Sequence, residues 1–477
     1  LDHADTARAG GIMVSATNSG TTRVTLNGGS GITGDVTNSG SGMLSLTLNN
    51  SQLTGISAVN SSGMSNLTLN NSTWTMTGKS RLTTLHGDNG SITIANVAGA
   101  DLTVSDSISG RTKLNLTLSN GVRGQQEIHV VVDETNAMNS DTFSLGNSVS
   151  AGMQTYGLDN RLDGAWLVLS DNFTGGGDAV LNSAAAVSGM WFTQQDNLLK
   201  RMGELRYNAP SKGNLIDNLW VRSYGQQTNI NTGLSGLKGF SETQYGVDLG
   251  TDKAWLMDDN NTLYTGIFAG YGSADRDFHS GYNGSTDSGY GGLYGTWLHQ
   301  DGWYADALVK GQYFDTSFDG EDHGSYHSYG VGLSLELGRQ FQFADGWFAE
   351  PSIQVSYLHL INDNYSTTQG MSVDLDDADI VQFYGGARFG RNIQLNGNGW
   401  LQPYVKVGAL EQISTGGQVK ASGNEWRPTT DGARGVIGAG IVYQLSDADQ
   451  LHLDYEASFG DKYDKPWGLS AGYRHQF

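Results

Sequence analysis

The sequence predicts an all-β protein: a parallel β-helix, then an antiparallel β-barrel of twelve strands with one α-helix inside it. Three observations predict this fold. They are a repeat of about 21–22 residues near the start, one segment of helical periodicity, and alternating strands from about residue 215 onward. Short strands at fixed periods near 20 residues are typical of solenoids, whereas period-2 alternation is typical of strands with two unlike faces.

The first predicted domain, residues 1–90, is a solenoid fragment rich in Ser, Thr, Asn and Gly. Its repeat units occupy residues 24–27, 46–50 and 67–71, each followed by a short strand that ends at glycine. The Leu-x-Leu pairs of each unit point one way, so we expect them to form the core of stacked coils, with Asn ladders at the corners. The alternative, a disordered Ser/Thr/Gly tract, is disfavoured by the apolar alternation.

The second predicted domain, residues 91–170, is a cap for this solenoid. It keeps short strands, at 127–133 and 163–169, but is more varied and more aromatic, and we expect Trp166 to be buried in its core. A cap is needed because the last coil of a solenoid otherwise exposes its core and an open strand edge.

The third predicted domain, residues 171–214, is a linker with a helix. Residues 171–177 are expected to form a flexible joint, and the helix is expected to run from Asp178, its N-cap, to Leu205. Such a helix extends about 40 Å, enough to thread a bilayer. Its faces carry Gln, Asn, Asp, Lys and Arg, so it cannot face lipid and, if it spans, must do so inside a pore.

Four residues of this helix are candidates for plugging the pore: Trp191, Lys200, Arg201 and Glu204. Lys200 and Arg201 either form ion pairs with the barrel wall or belong to a solvated helix end. The candidate wall partners are carboxylates of the predicted inward parity, namely Asp306, Glu336 and Glu350.

The fourth predicted domain, residues 215–477, is the barrel. Twelve candidate strands begin near Leu219, Ser241, Leu263, Asp287, Trp303, Tyr326, Phe348, Ile380, Leu401, Gly432, Gln450 and Trp467. Short connections at 299–302, 343–346, 395–399 and 446–449 alternate with long ones at 229–240, 275–285, 362–379 and 414–431. An even number of strands with short turns on one side and long loops on the other is the layout of outer-membrane barrels.

The two faces of these strands differ in chemistry. One parity is apolar, as in Val331, Leu333, Leu335 and Leu337. The other parity carries the charges Arg222, Asp248, Asp306, Lys310, Glu336, Glu350, Arg388, Lys406, Asp454, Glu456 and Arg474. A charge on the lipid face would cost about 2–4 kcal/mol near the midplane, so the charged parity is expected to face the lumen.

Composition restricts the function classes. The chain has 477 residues, no Cys, and a formal charge of −21. The acidity argues against nucleic acid as a partner, and the absence of Cys excludes disulfides and thiolate metal sites. The sequence contains no run of about 20 apolar residues, so it predicts no transmembrane helix. Without a signal peptide at Leu1, the sequence is expected to be a mature or truncated piece.

The last strand, residues 467–477, ends on an aromatic residue. Leu469, Tyr473 and Phe477 share its apolar parity, while Gly, Ser and Arg occupy the other. Together with the order of solenoid, cap, helix and twelve strands, this ending resembles the classical autotransporters of type V secretion. Segments 192–206 and 219–225 are similar to the linker and first barrel strand of that family. His475 departs from the aromatic or aliphatic residue usual there.

The resemblance implies a right-handed β-helix, a pertactin-like autochaperone around Trp166, and an assembly signal at Leu469, Tyr473 and Phe477. It implies that the barrel lies in the bacterial outer membrane, exports its own N-terminal passenger and anchors it outside. The implied partners are outer-membrane lipid and lipopolysaccharide, the barrel-assembly machinery and periplasmic chaperones, and a host or neighbouring cell surface. An adhesin-type passenger is favoured; the alternative is an esterase or protease passenger upstream.

No catalytic, cofactor or metal site is predicted. His323 and His327 lie near Glu321 and Asp322, but their i,i+4 spacing outside a helix fixes no metal geometry. The other His residues are scattered over several connections, unlike a nucleophile and base held on rigid strands. The helix lacks an Asn-Asn pair, which favours an uncleaved helix.

Overall fold

The computed structural model of the chain describes residues 5–204, 217–395 and 399–477, and the side chains in these ranges except those of 5–12, 197 and 199–204. It divides into two compact units between Thr174 and Gly175. In the described ranges, the regular elements of the first unit are all strands, and the second unit contains a helix and a barrel. Within the described ranges, no helix combines the length and apolar character that crossing a bilayer requires.

The first unit is one sheet of fifteen strands. They are β1 (Asp5–Ala16), β2 (Thr21–Asn27), β3 (Gly31–Asn38), β4 (Met43–Asn49), β5 (Gln52–Thr54), β6 (Ser57–Val59), β7 (Met64–Asn70), β8 (Thr73–Met76), β9 (Ser80–Val97), β10 (Leu102–Leu118), β11 (Glu127–Asp133), β12 (Phe143–Leu145), β13 (Val149–Ser150), β14 (Gln154–Arg161) and β15 (Gly164–Phe173).

Strands of successive repeats pair in parallel. Leu46 of β4 lies beside Val24 of β2 and beside Leu67 of β7, at offsets of 22 and 21 residues. The short strands β3, β5 and β8 stack in the same way. These offsets confirm the predicted solenoid-like stack. The stack continues through residue 90, where the sequence placed a domain boundary, because β9 and β10 pair in parallel over most of their length.

Leucines fill the solenoid and asparagines line its corners. Leu48 and Leu69 are fully buried. The amide of Asn49 donates to Asn27 Oδ1 at 2.8 Å, and that of Asn70 donates to Asn49 Oδ1 at 2.7 Å. Each ladder rung satisfies polar groups of adjacent coils without interrupting the apolar interior.

The parallel stack ends at an antiparallel cap. Strand β11 pairs in parallel with β10 on one side but antiparallel with β15 on the other. Strands β14 and β13 then continue the antiparallel pairing. The end of the stack is therefore covered by a hairpin of a different register and direction, which cannot template another parallel coil.

The second unit begins with α1 (Gly175–Glu204), a helix of 30 residues. The remaining strands are β16 (Asn218–Ile230), β17 (Phe240–Leu256), β18 (Asn261–Phe278), β19 (Asn283–His299), β20 (Trp303–Asp319), β21 (Gly324–Arg339), β22 (Phe341–Gln342), β23 (Trp347–Asn362), β24 (Tyr365–Ser366), β25 (Ser372–Leu375), β26 (Ala378–Arg391), β27 (Ile393–Gln394), β28 (Trp400–Gly416), β29 (Val419–Ala421), β30 (Asn424–Trp426), β31 (Gly432–Gln444), β32 (Asp449–Gly460) and β33 (Tyr463–Gln476), with a 3₁₀ turn at Ala344–Gly346.

Twelve long strands close into an antiparallel barrel. The order runs from β21 back through β20, β19, β18, β17 and β16 to β33, then through β32, β31, β28, β26 and β23, which pairs with β21. The first and last strands are neighbours, with Trp220 beside Arg474. The twelve predicted strands and the closed barrel are confirmed. The barrel also has the two predicted faces, since Leu335 is 51% exposed outside while Lys310 is 1% exposed inside.

Two details of the connections differ from expectation. The segment 275–285 is not a long loop: β18 and β19 extend through it and leave only 279–282 as the turn. The loops 363–377 and 417–431 contain a separate four-stranded antiparallel sheet, β24–β25–β29–β30. In both places backbone pairing continues beyond the wall, where side chains no longer need to alternate between lipid and lumen.

Candidate functional site: a barrel lumen filled by a helix

The helix α1 begins three residues before the expected N-cap. Gly175, Gly176 and Gly177 form its first turn rather than a joint, and Asp178 lies inside that turn. An Asp178 carboxylate oxygen accepts a hydrogen bond of 3.0 Å from the backbone N–H of Lys238. A Cβ on Gly175 would collide with the Tyr282 ring, so glycine is needed for the close packing there. Packing thus overrides the poor helix propensity of three glycines.

The middle of α1 is bound to the inner wall by polar contacts. Gln194 donates from Nε2 to the Tyr224 hydroxyl and to Ser288 Oγ, both at 3.0 Å. Its Oε1 accepts a hydrogen bond from Gln312. Gln194 is fully buried, so these hydrogen bonds replace those that its amide would make to water when exposed. The helix lies inside the barrel, as predicted.

Trp191, one of the predicted plug residues, is fully buried. Its backbone carbonyl accepts a hydrogen bond of 2.9 Å from Lys310 Nζ, and the same ammonium lies 3.9 Å from the centre of its ring. Farther along the helix, Leu198 is buried in an apolar cluster with Trp220 and Tyr264 of the wall. Lys200, Arg201 and Glu204 are helical, but their side chains lie outside the described residues.

The helix does not fill the lumen evenly. It packs mainly on β17–β20, with the Trp191 ring also against β21, whereas a cavity of about 130 Å³ remains on another side. This volume has room for several water molecules. The helix contributes Gly189, Phe192, Thr193 and Asp196 to the lining; the wall contributes charged residues that include Arg388, Lys406, Arg434, Glu456 and Lys465.

The inward charges of the wall pair with one another. Arg276 binds Glu242, and Arg388 binds Glu350. Glu456 lies between Lys406 and Lys465 and binds both. Asp454 accepts from the Tyr404 hydroxyl at 2.7 Å, and Tyr304 donates to Glu336 at 2.9 Å. Buried charges are tolerated when paired and hydrogen-bonded, so these pairs let the lumen stay polar. Glu350, one of the predicted wall carboxylates, is paired with Arg388.

Sequence reasoning missed three residues of this site. Gly330 and Gly332 of β21 lie against the Trp191 ring, and Gln312 contacts Gln194. The available signal was their parity: both glycines share the inward face with Glu336, and Gln312 shares it with Lys310. The sequence did not reveal which helix residue meets them.

The last strand presents its predicted apolar edge outward. Leu469, Tyr473 and Phe477 are 47%, 40% and 56% exposed on the outer face. The Tyr473 hydroxyl donates to Asp449 at 2.6 Å, and His475 Nδ1 lies 2.9 Å from the same carboxylate. His475 thereby fits at this strand end, beside the Phe477 ring at 4.9 Å.

Trp166 lies on the outer face of the cap and is only half-buried; the expectation that it is buried is wrong. The core positions are its neighbours Ala165 and Leu167, because side chains of adjacent strand residues point to opposite faces. The Trp166 ring stacks on the His129 ring, with 4.0 Å between the ring centres. The Arg161 guanidinium lies 4.8 Å from the centre of the Trp166 ring.

The two loop histidines interact with separate acidic residues. His323 Nδ1 is 3.6 Å from Asp319, and His327 lies 3.7 Å from both Asp315 and Asp363. In the part of the chain that the structure describes, no three His, Asp or Glu residues form a group suited to a metal ion.

Known proteins resemble this chain in the barrel. Residues 219–456 match the family described as Autotransporter beta-domain. The Pertactin autotransporter of Bordetella parapertussis is 32% identical over 296 residues, which cover 61% of this chain and 31% of that protein. The BrkA autotransporter of Bordetella pertussis is 27% identical over 411 residues, covering 83% of this chain and 40% of that protein.

The crystal structure of the beta domain of BrkA is 26% identical, with a TM-score of 0.47, and covers 55% of this chain and 100% of that one. The chain spans only 31% to 40% of the length of the curated relatives named above. The family match lies on the strands that form the closed barrel, with its apolar outside and its helix inside. The chain therefore belongs to the autotransporter family, and its barrel is a translocator domain of the bacterial outer membrane.

Proposed function

We propose that the barrel supports export of its own N-terminal solenoid across the outer membrane and then holds it at the cell surface. The observation that carries this proposal is the helix α1 within the lumen. It follows the solenoid directly along the chain and is bound to the wall through Gln194 and Trp191. This is the arrangement left when a chain has passed through a pore and its trailing segment stays behind.

The partners proposed for assembly are the barrel-assembly machinery and periplasmic chaperones, with lipid and lipopolysaccharide around the finished barrel. The apolar edge of β33, formed by Leu469, Tyr473 and Phe477, is proposed as the assembly signal. Exposed apolar edges are recognition surfaces in a chain that has not yet reached lipid.

We assign no catalytic role to the barrel and propose adhesion as the passenger's role. The ladders of Asn and Thr on the solenoid form a regular surface suited to contacts with another cell. Among the relatives, one is named an autotransporter adhesin/invasin, TibA of Escherichia coli, and another a serine protease autotransporter, Sat of Escherichia coli. An enzymatic passenger upstream is therefore the second candidate.

Export is tested with an epitope inserted at the exposed turn between Ser61 and Ser62. When intact cells are treated with a protease that cannot cross the outer membrane, the protease should remove the epitope from the unaltered chain.

Replacing Tyr473 and Phe477 with Ser should reduce the amount of epitope at the cell surface and increase degradation of the protein in the periplasm. Ser470→Ala is the matched control, because its hydroxyl faces inward and has no hydrogen-bond partner among the described residues. If the protease does not remove the epitope from the unaltered chain, export is contradicted.

The passenger's role is tested by comparing cells that display the full chain with cells that display the barrel without residues 1–174. Adhesion to epithelial cells or aggregation of the bacteria should be lost with the solenoid. Equal adhesion in both, together with hydrolytic activity of a longer form of the protein, would favour the second candidate.

A further inference from the structure

The Trp191 ring lies in a slot of the barrel wall whose floor has no side chains. A Cβ on Gly330 would lie 2.8 Å from Cε3 and Cζ3 of that ring. A Cβ on Gly332 would lie 2.8 Å from Cζ2 and 2.1 Å from the backbone oxygen of Tyr357 on the neighbouring strand. Side-chain carbons do not approach that closely, so any residue but glycine at these positions overlaps the indole. The slot therefore fits the ring because neither floor residue has a side chain. Gly330 is limited first by the indole, whereas Gly332 is limited first by the backbone of β23.

Strand register places long polar side chains beside this floor. Lys310 of β20 pairs directly with Gly332 of β21, and Gln312 pairs with Gly330. The Lys310 ammonium covers the indole and also lies 5.2 Å from the Tyr290 ring, while it donates to the Trp191 carbonyl. A buried ammonium is stabilised by aromatic faces and a carbonyl oxygen, and two of these three groups belong to Trp191.

The polar residue one turn farther along the helix fixes its rotation. Gln194 is bound by Tyr224, Ser288 and Gln312, which lie on three different strands. Residues 175–190 of the helix contain no aromatic side chain, so Trp191 is the first ring after the start of α1. Small side chains can slide along the wall, whereas this ring fits where the wall lacks Cβ atoms.

We propose that Trp191, held between the floor of Gly330 and Gly332 and the Lys310 ammonium, is the anchor that sets the depth at which the helix stops and so keeps the lumen closed. The proposal rests on the proposed function, in which α1 is the trailing segment of an exported chain. Trp191 acts here as a positioning residue, and Lys310 and the two glycines form its receptor.

The test compares Gly330→Leu with Gly311→Leu in the full chain. Apart from the Trp191 ring, the nearest atom to a Cβ at Gly330 is the flexible Leu358 side chain, at 3.2 Å. Gly311 is on β20, faces lipid, and has no atom within 4 Å of that position. In planar bilayers, Gly330→Leu should raise the conductance several-fold, toward that of a chain lacking residues 180–203. Gly311→Leu should leave it unchanged.

A double variant separates the anchor from a general effect on the wall. Trp191→Ala should raise the conductance on its own, because the helix loses its stop. Combined with Gly330→Leu it should conduct less than either single variant, because the leucine occupies the volume that the indole vacates. Conductance that rises additively in the double variant overturns the proposal.

Export and anchoring are distinguished by a separate measurement on the same cells. Protease removal of the solenoid epitope reports export, whereas conductance and sensitivity to bulky antibiotics report the anchor. If the epitope is exposed but Gly330→Leu conducts like the unaltered chain, the anchor is refuted and export stands. If Gly330→Leu gives no heat-modifiable barrel, Trp191→Ala decides, because it leaves the wall unaltered; unchanged conductance then refutes the anchor.

Discussion

The solenoid and the barrel use the same alternation of side chains with opposite polarity. In the solenoid, Leu48 is fully buried and the Asn27–Asn49–Asn70 ladder faces outward. In the barrel, Leu335 is 51% exposed outward and Lys310 is buried inside. The difference teaches that alternation specifies a strand with two faces, while the surroundings decide which face is the interior.

The largest expected effect comes from placing a charge in the solenoid interior. Leu48→Asp leaves an unpaired carboxylate in the core and should destabilise the solenoid by about 3–5 kcal/mol. Limited proteolysis of the full chain should then cut within the first unit. The control is Thr47→Asp, one residue away on the outward face, which should retain resistance; equal sensitivity of both would break the comparison.

A charge on the outer face of the barrel should have a smaller effect. Leu335→Arg should cost about 2–4 kcal/mol if that position lies near the membrane midplane. The measurement is the urea concentration at which half of the barrel in lipid vesicles unfolds. The folded fraction is determined from the heat-modifiable band on a gel. Phe341→Arg, in the short strand β22 that follows β21, should cost only about 0–1 kcal/mol because it lies near the interface. A neutral Leu335→Arg would mean that this face does not meet lipid.

Acid should have the smallest effect, confined to exposed ion pairs of the solenoid. Hydrogen bonding to Arg161 lowers the pKa of Glu127 below its ordinary value of 4.5, and Arg81 does the same for Glu134. Their stabilising contribution is therefore present above pH 4.5 and is lost as the pH falls through the lowered pKa. The resistance of the solenoid to limited proteolysis should decrease slightly when the pH is lowered from about 6 to about 3. The double variant Glu127→Gln, Glu134→Gln should make the stability of the solenoid less dependent on pH. An unchanged pH dependence would mean that other titratable groups cause it.

The barrel strands were predictable because each carries the lipid-to-lumen alternation over its full membrane crossing. The segment 275–285 resembles a loop in sequence because Asp275 and Asp277 interrupt the apolar parity of the outer face, yet β18 and β19 remain paired through it. The start of α1 was misplaced because packing on Tyr282 favours a glycine turn that propensity disfavours.

The anchor slot was not predictable from one sequence. The inward parity of Lys310 was expected and is confirmed, but the slot depends on two further facts: the register that sets Lys310 opposite Gly332, and the depth of the helix. In a sequence, a glycine on an inner face does not indicate which residue packs against it. That partner is known only from the structure. The half-buried position of Trp166 shows the reverse, since a large aromatic residue in a cap predicts core, whereas its strand parity places it on the outer face.

The antiparallel cap makes the two ends of the solenoid unequal. On the side of β11, the next strand is β15, running the other way, so no parallel coil can be added there. On the other side, each coil offers the next a parallel edge and an open Asn ladder, as β4 does for β2. The stack can therefore accept a further parallel coil at one end only. A coil at that end is held by a single interface, whereas an inner coil is held by two.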